Sequence, residues 1–113
     1  MSDIWYVNND NIINTADNDG EGFYDEVTGL YLNSATVTGT VRATESPTSA
    51  IITGITQPVT FSYISGSNGR YVGTFDKLLA LVKNTTYYCH ISFVSGTTDA
   101  NIIKRIRAKE RIV

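Results

Sequence analysis

Histidine, cysteine, tryptophan and methionine occur once each in this chain of 113 residues, and proline only twice. A single cysteine, Cys89, rules out an intrachain disulfide, and with it the disulfide-stapled secreted module. A single histidine, His90, leaves no zinc-spaced ligand set, and no glycine-rich phosphate loop precedes a helix. Cys89 and His90 are neighbours, but consecutive side chains of a strand point to opposite faces, so they cannot form a nucleophile–base pair. Cys89 shares its face with Tyr87, Ile91 and Phe93 and reads as a buried, inert thiol. No enzyme is expected, and no catalytic, cofactor-binding or metal residues are assigned.

No run reaches the ~18 apolar residues of a membrane span. The opening MSDIWYVNND holds neither the basic nor the apolar segment of a signal peptide, so synthesis in a reducing cytoplasm is expected. A net charge of −2 and a pI near 5.2 argue against a general nucleic-acid binder. Charged residues are only 18% of the chain, while Thr, Ser, Asn, Gly and Tyr are abundant. That mixture favours strands and turns over helices. A chain of this length is one domain with a modest core.

Alternation locates the strands. Ala35, Val37, Gly39, Val41 and Ala43 share one face, with Thr36, Thr38, Thr40 and Arg42 on the other. Pro47 marks a turn, and Ala50 to Ile55 reads as a short apolar strand. Val59 to Tyr63 and Tyr71 to Phe75 flank Gly66-Ser67-Asn68-Gly69 and form a hairpin. A three-residue loop with Gly69 left-handed would set Phe61 opposite Phe75 and keep the aromatic side chains on one face. Leu78 to Val82 is too short for an independent helix and is expected to be a turn whose leucines plug the core. Thr86 to Ser95 alternates again, and Asn101 to Val113 forms a last long strand with Ile102, Ile106, Ala108 and Ile112 inward. Six or seven strands without a long helix predict an all-β, antiparallel sandwich, Ig-like or jelly-roll-like, over residues 27–113.

The two termini differ in charge. Residues 1–26 hold seven of the eleven acids, and no Lys or Arg precedes Arg42. Ile4, Trp5, Tyr6, Ile12 and Ile13 punctuate this polar segment, which reads as an extended acidic arm whose apolar anchors order against something, either its own domain or a neighbour. Within it, Thr15 to Glu26 matches part of a calcium-loop pattern, with Thr15 where an aspartate belongs; an acidic loop without metal has the same composition. At the other end Arg105, Arg107, Lys109 and Arg111 project from one face of the last strand. Such a row serves as a solvated edge that blocks strand pairing, as a phosphate contact, or as a mate for an acidic surface.

Three stretches carry a resemblance: Gly29 to Val41 (GLYLNSATVTGTV), Phe61 to Gly73 (FSYISGSNGRYVG) and Val82 to Tyr87 (VKNTTY). They resemble small virion proteins of tailed bacteriophages, a resemblance that covers about residues 29 to 95. The resemblance is to capsid decoration (cement) proteins of the epsilon15-like type. It implies a structural protein on the virion surface that clamps neighbouring capsid subunits. Its partners would be the major capsid protein and copies of itself, with no cofactor, nucleic acid or membrane. On this reading Ile4, Trp5, Tyr6, Ile12, Ile13, Arg105, Arg107, Lys109 and Arg111 bind the partner. Deleting residues 1–26 would then abolish capsid binding and leave the core folded. A head-to-tail connector or tail component is the alternative within the virion. A host-surface or carbohydrate-binding module, suggested by Trp5 and the tyrosines, is a third reading.

Overall fold

The computed structural model describes residues 3–15, 22–25 and 27–111. Among them there is no helix. In chain order the strands are β1 (Asp3–Tyr6), β2 (Asn11–Asn14), β3 (Tyr24–Asp25), β4 (Leu30–Tyr31), β5 (Thr36–Arg42), β6 (Val59–Thr60), β7 (Ser62–Tyr63), β8 (Tyr71–Phe75), β9 (Thr86–Ser95) and β10 (Thr98–Lys109). A large mixed sheet runs β1-β10-β9-β5-β6, a small antiparallel sheet runs β2-β8-β7, and β3 and β4 make a short ribbon. The chain leaves the large sheet for the small one at both margins, from β1 into β2 and from β6 into β7. The large sheet curls as a half-barrel.

One core fills the space between these sheets. Trp5, Val37, Val41, Tyr87, Ile91, Phe93, Ile106 and Ala108 enter it from the large sheet, and Ile13, Tyr71 and Phe75 from the small one. Aromatic rings bridge the two: Trp5 and Phe75 have centroids 4.9 Å apart, and Tyr71 meets Phe93 edge-on at 6.4 Å. The Tyr71 hydroxyl donates to the Leu32 carbonyl (2.6 Å) and accepts from the Ala35 amide (2.9 Å), so its burial leaves no polar atom wanting there.

Residues 3–15 are part of this body: of the two supports expected for the arm, its own domain or a neighbour, they take the first. Trp5 is 1% exposed and Ile13 2%. β1 pairs parallel with β10, from Asp3 opposite Ile106 to Tyr6 opposite Lys109, so the sheet is not wholly antiparallel. The physical reason is the apolar demand of one indole: Trp5 lands on the inner face beside Ala108 and closes the core at that margin. Asn11 then seals the strand's outer edge. Its side-chain amide accepts from the Tyr6 amide and donates to the Tyr6 carbonyl, both at 3.0 Å, taking the place of a neighbouring strand.

The hairpin keeps its expected face but not its register. Tyr63 lies opposite Tyr71 and Ser62 opposite Val72, so Phe61 faces Gly73 rather than Phe75. The Ile64 amide bonds the Arg70 carbonyl at 2.9 Å, leaving a five-residue loop. Gly69 is left-handed as expected, at φ 67°. A shift of two residues preserves sidedness, which is why burial alone did not fix it. Residues 50–55 make a single bridge, Arg42 to Ile51, instead of a strand. Gln57 is the cause. Its amide accepts from the Val41 N–H (2.7 Å) and donates to the Ile52 carbonyl (2.5 Å), wedging a side chain into the next ladder rung. In the 76–82 turn only Leu79 is fully inserted; Leu78 is exposed.

Candidate functional site

The core occupies the inner side of the large sheet, so its outer side is left for other work. Strand order places two distinct regions there. The first is a basic strip at the β1 margin. Ile4 pairs with Arg107 and Tyr6 with Lys109, while Arg105 sits opposite Tyr88 and Arg107 opposite Thr86. The Arg111 guanidinium lies 4.5 Å from the centre of the Tyr6 ring, a cation–π contact, and Arg107 donates to the Thr86 hydroxyl at 3.2 Å.

Six of the nine residues expected to bind a partner therefore share one surface: Ile4, Tyr6, Arg105, Arg107, Lys109 and Arg111. The other three do not join them. Trp5 and Ile13 are buried in the core, and Ile12, 66% exposed, projects from the small sheet. Arg107 and Lys109 are also not on an open edge, because β1 pairs with β10 over residues 106–109. Of the calcium-like stretch, residues 16–21 and Glu26 lie outside the described residues. Thr15 is buried, and its hydroxyl accepts from the Tyr71 amide at 3.0 Å.

The second region is an open groove of about 490 Å³ between the sheet and the 43–50 loop. Its floor carries Thr38, Thr40, Ser92 and Asn101; Pro47 and Pro58 form walls, with Arg42, Glu45, His90 and Ile103 around them. The loop is fastened at several points. The Arg42 guanidinium donates to the Ser49 carbonyl (2.7 Å), the Ser49 hydroxyl donates to the Ser46 carbonyl (2.7 Å), and His90 Nε2 meets the Thr44 carbonyl at 2.9 Å. Since a carbonyl only accepts, Nε2 is the donor in this contact. Sequence reading noticed the polar halves of β5 and β9 but not the groove, because adjacency of those halves is a property of strand order.

Cys89 lies on the inner face, opposite in direction to His90, and is fully buried. Burial pushes its thiol up from 9.0 to about 12, with Lys104 pulling the other way and Asp3 adding to the rise. A folded pKa above the unfolded one gives stability that is complete below pH 9 and lost as pH climbs towards 12. Relative to Cys89→Ala, unfolding free energy should drop by on the order of 1 kcal/mol by pH 10. Urea titrations of both proteins at pH 7 to 10 read this directly; parallel pH trends would refute it.

No protein-family model, curated protein or solved structure matches the chain.

Proposed function

We propose that this chain is a structural virion protein that binds the outside of a phage capsid and clamps neighbouring capsid subunits. The observation that carries the reading is the convergence of Ile4, Tyr6, Arg105, Arg107 and Lys109 on two adjacent strands, joined by Arg111 just past the second. A row of cations interleaved with an aromatic ring and an aliphatic side chain suits a protein partner with an acidic surface, where complementarity sets register and encounter rate. The adhesive element is thus a rigid face rather than a flexible arm. The architectural part of the proposal is a sandwich of Ig-like or jelly-roll-like kind, with the large sheet's outer side turned to the capsid. The resemblance over residues 29 to 95 supplies the partner's identity, and many copies per particle would separate decoration from a single connector ring.

The test uses the whole chain and capsids stripped of decoration. Arg107→Glu combined with Lys109→Glu should weaken co-sedimentation with the particles by roughly tenfold or more, and the wild-type interaction should fall with added salt. An unaltered melting temperature would show that the reversal acts on binding. Wild-type affinity retained by the double variant would overturn the proposal.

A further inference from the structure

The groove between the sheet and the 43–50 loop is remote from the basic strip in function and differs from it in chemistry. We infer that it binds a short, neutral oligosaccharide. Four features lead there.

Hydroxyl and amide groups stand among a lining that is mostly apolar. Thr38, Thr40 and Ser92 each both donate and accept, and the Asn101 amide does the same through separate atoms, which matches the dual character of sugar hydroxyls. Threonine on a strand is stiff at χ1, so these groups are held in place before a ligand arrives. The walls are apolar rings and branches, Pro47, Pro58 and Ile103, against which the C–H face of a pyranose can pack. The volume of about 490 Å³ lies within the ~300–1,000 Å³ range of small-ligand sites.

Competing occupants fit less well. An anion such as a phosphate wants unbalanced positive charge, whereas Arg42 and Glu45 bring one charge of each sign. Arg42 is moreover committed to the Ser49 carbonyl. A peptide strand would need free backbone, but the floor is the middle of a ladder: Thr40 pairs with His90, Thr38 with Ser92, and Ser92 with Asn101. A purely apolar ligand would strip water from the hydroxyls and give nothing back. The fastened loop completes the case, since a wall already tied to the sheet by His90 and Arg42 need not be ordered on binding.

The experiment is an array of neutral, sialylated and sulfated glycans probed with the full chain, followed by amide NMR titration with the neutral glycan that binds best. Neutral glycans should be retained, and the NMR shifts should centre on Thr40, Ser92 and Asn101 with a Kd of about 1 mM or tighter. Thr40→Val, which keeps shape and removes a hydroxyl, and Asn101→Ala should each weaken binding about fivefold or more at unchanged melting temperature. Neither residue belongs to the basic row or to the β1-paired part of β10, so capsid co-sedimentation should stay as in wild type whatever the glycan result. Retention of no neutral glycan, preference for the anionic ones, shifts mapping to the basic strip, or full affinity in both variants would each overturn the inference.

Discussion

A chain lacking residues 1–15 should fail to fold cooperatively, and Trp5→Ala alone should cost about 3–5 kcal/mol. The indole is 1% exposed, packed at a tilt on Phe75 with centroids 4.9 Å apart and flanked by Ala108, so its removal opens a cavity that three strands line. A domain of this size has only ~5–15 kcal/mol in hand, so one truncation takes a large share. Deletion removes more. It uncovers Ile106 and Ala108 on β10, withdraws Ile13 from the core, and breaks the reciprocal bonds between Thr15 and Tyr71. Two strands, β10 and β8, would be left as bare edges open to association. Trp5 is the only tryptophan, so its emission reports unfolding of the wild type alone, and circular dichroism also reads Trp5→Ala. Circular dichroism and calorimetry read the deletion. A truncated protein that still melts cooperatively near the wild-type temperature would show that residues 3–15 are dispensable to the body.

That result bears on how capsid binding is to be tested. Loss of binding on deletion of residues 1–26 is what an adhesive arm predicts, and it is equally what an unfolded body predicts. Charge reversal on the outer face separates the two because it leaves Trp5 and Ile13 in place. The inner and outer sides of β1 and β10 therefore have different duties. Trp5, Ile106 and Ala108 hold the fold together, while Ile4, Tyr6, Arg107 and Lys109, alternating with them, face outward.

Much of this was legible in the alternation of residue types, and the exceptions share a physical origin. The faces of β5, β8 and β9 follow from period-two patterning, since each has one face in the core. The row Arg105 to Arg111 was likewise visible as a single face. What alternation cannot convey is which strands lie side by side, so the parallel pairing of β1 with β10 and the groove over β5, β9 and β10 were hidden. Asn-rich, acidic sequence around Trp5 read as an arm because polar composition outweighed one large apolar side chain. In the fold that side chain decides the matter. Two amides, Asn11 on the edge of β1 and Gln57 inside the ladder beside β5, imitate backbone pairing, and nothing in composition marks a side chain for that task.

Gly73→Val should cost roughly 3 kcal/mol, at the upper end of overpacking penalties. The ring of Phe61 lies directly on Gly73 of β8, its cross-strand partner by extension of the hairpin register. A methyl placed at Gly73 would overlap Cε1 of that ring and stand 2.7 Å from Cζ. Retreat is blocked on the other side by Gly39 of β5, where a methyl would meet the same ring at 2.8 Å from Cε1. Phe61 is thus wedged between two glycines on two sheets, at the corner where the chain passes from β6 to β7. The conformation of Gly73 is not the issue, since it carries no positive φ. Steric origin predicts coupling: Gly73→Ala should cost about 1–3 kcal/mol in the wild-type background and clearly less in Phe61→Leu. Gly66→Ala provides the contrast, with a left-handed φ of 79° and open space around it, so its penalty is backbone strain and should not depend on Phe61. Chemical denaturation of the four combinations of residues 61 and 73 gives the coupling energy. Simple additivity would mean that the ring does not rest on Gly73 and that the two sheets meet at this corner by some other packing.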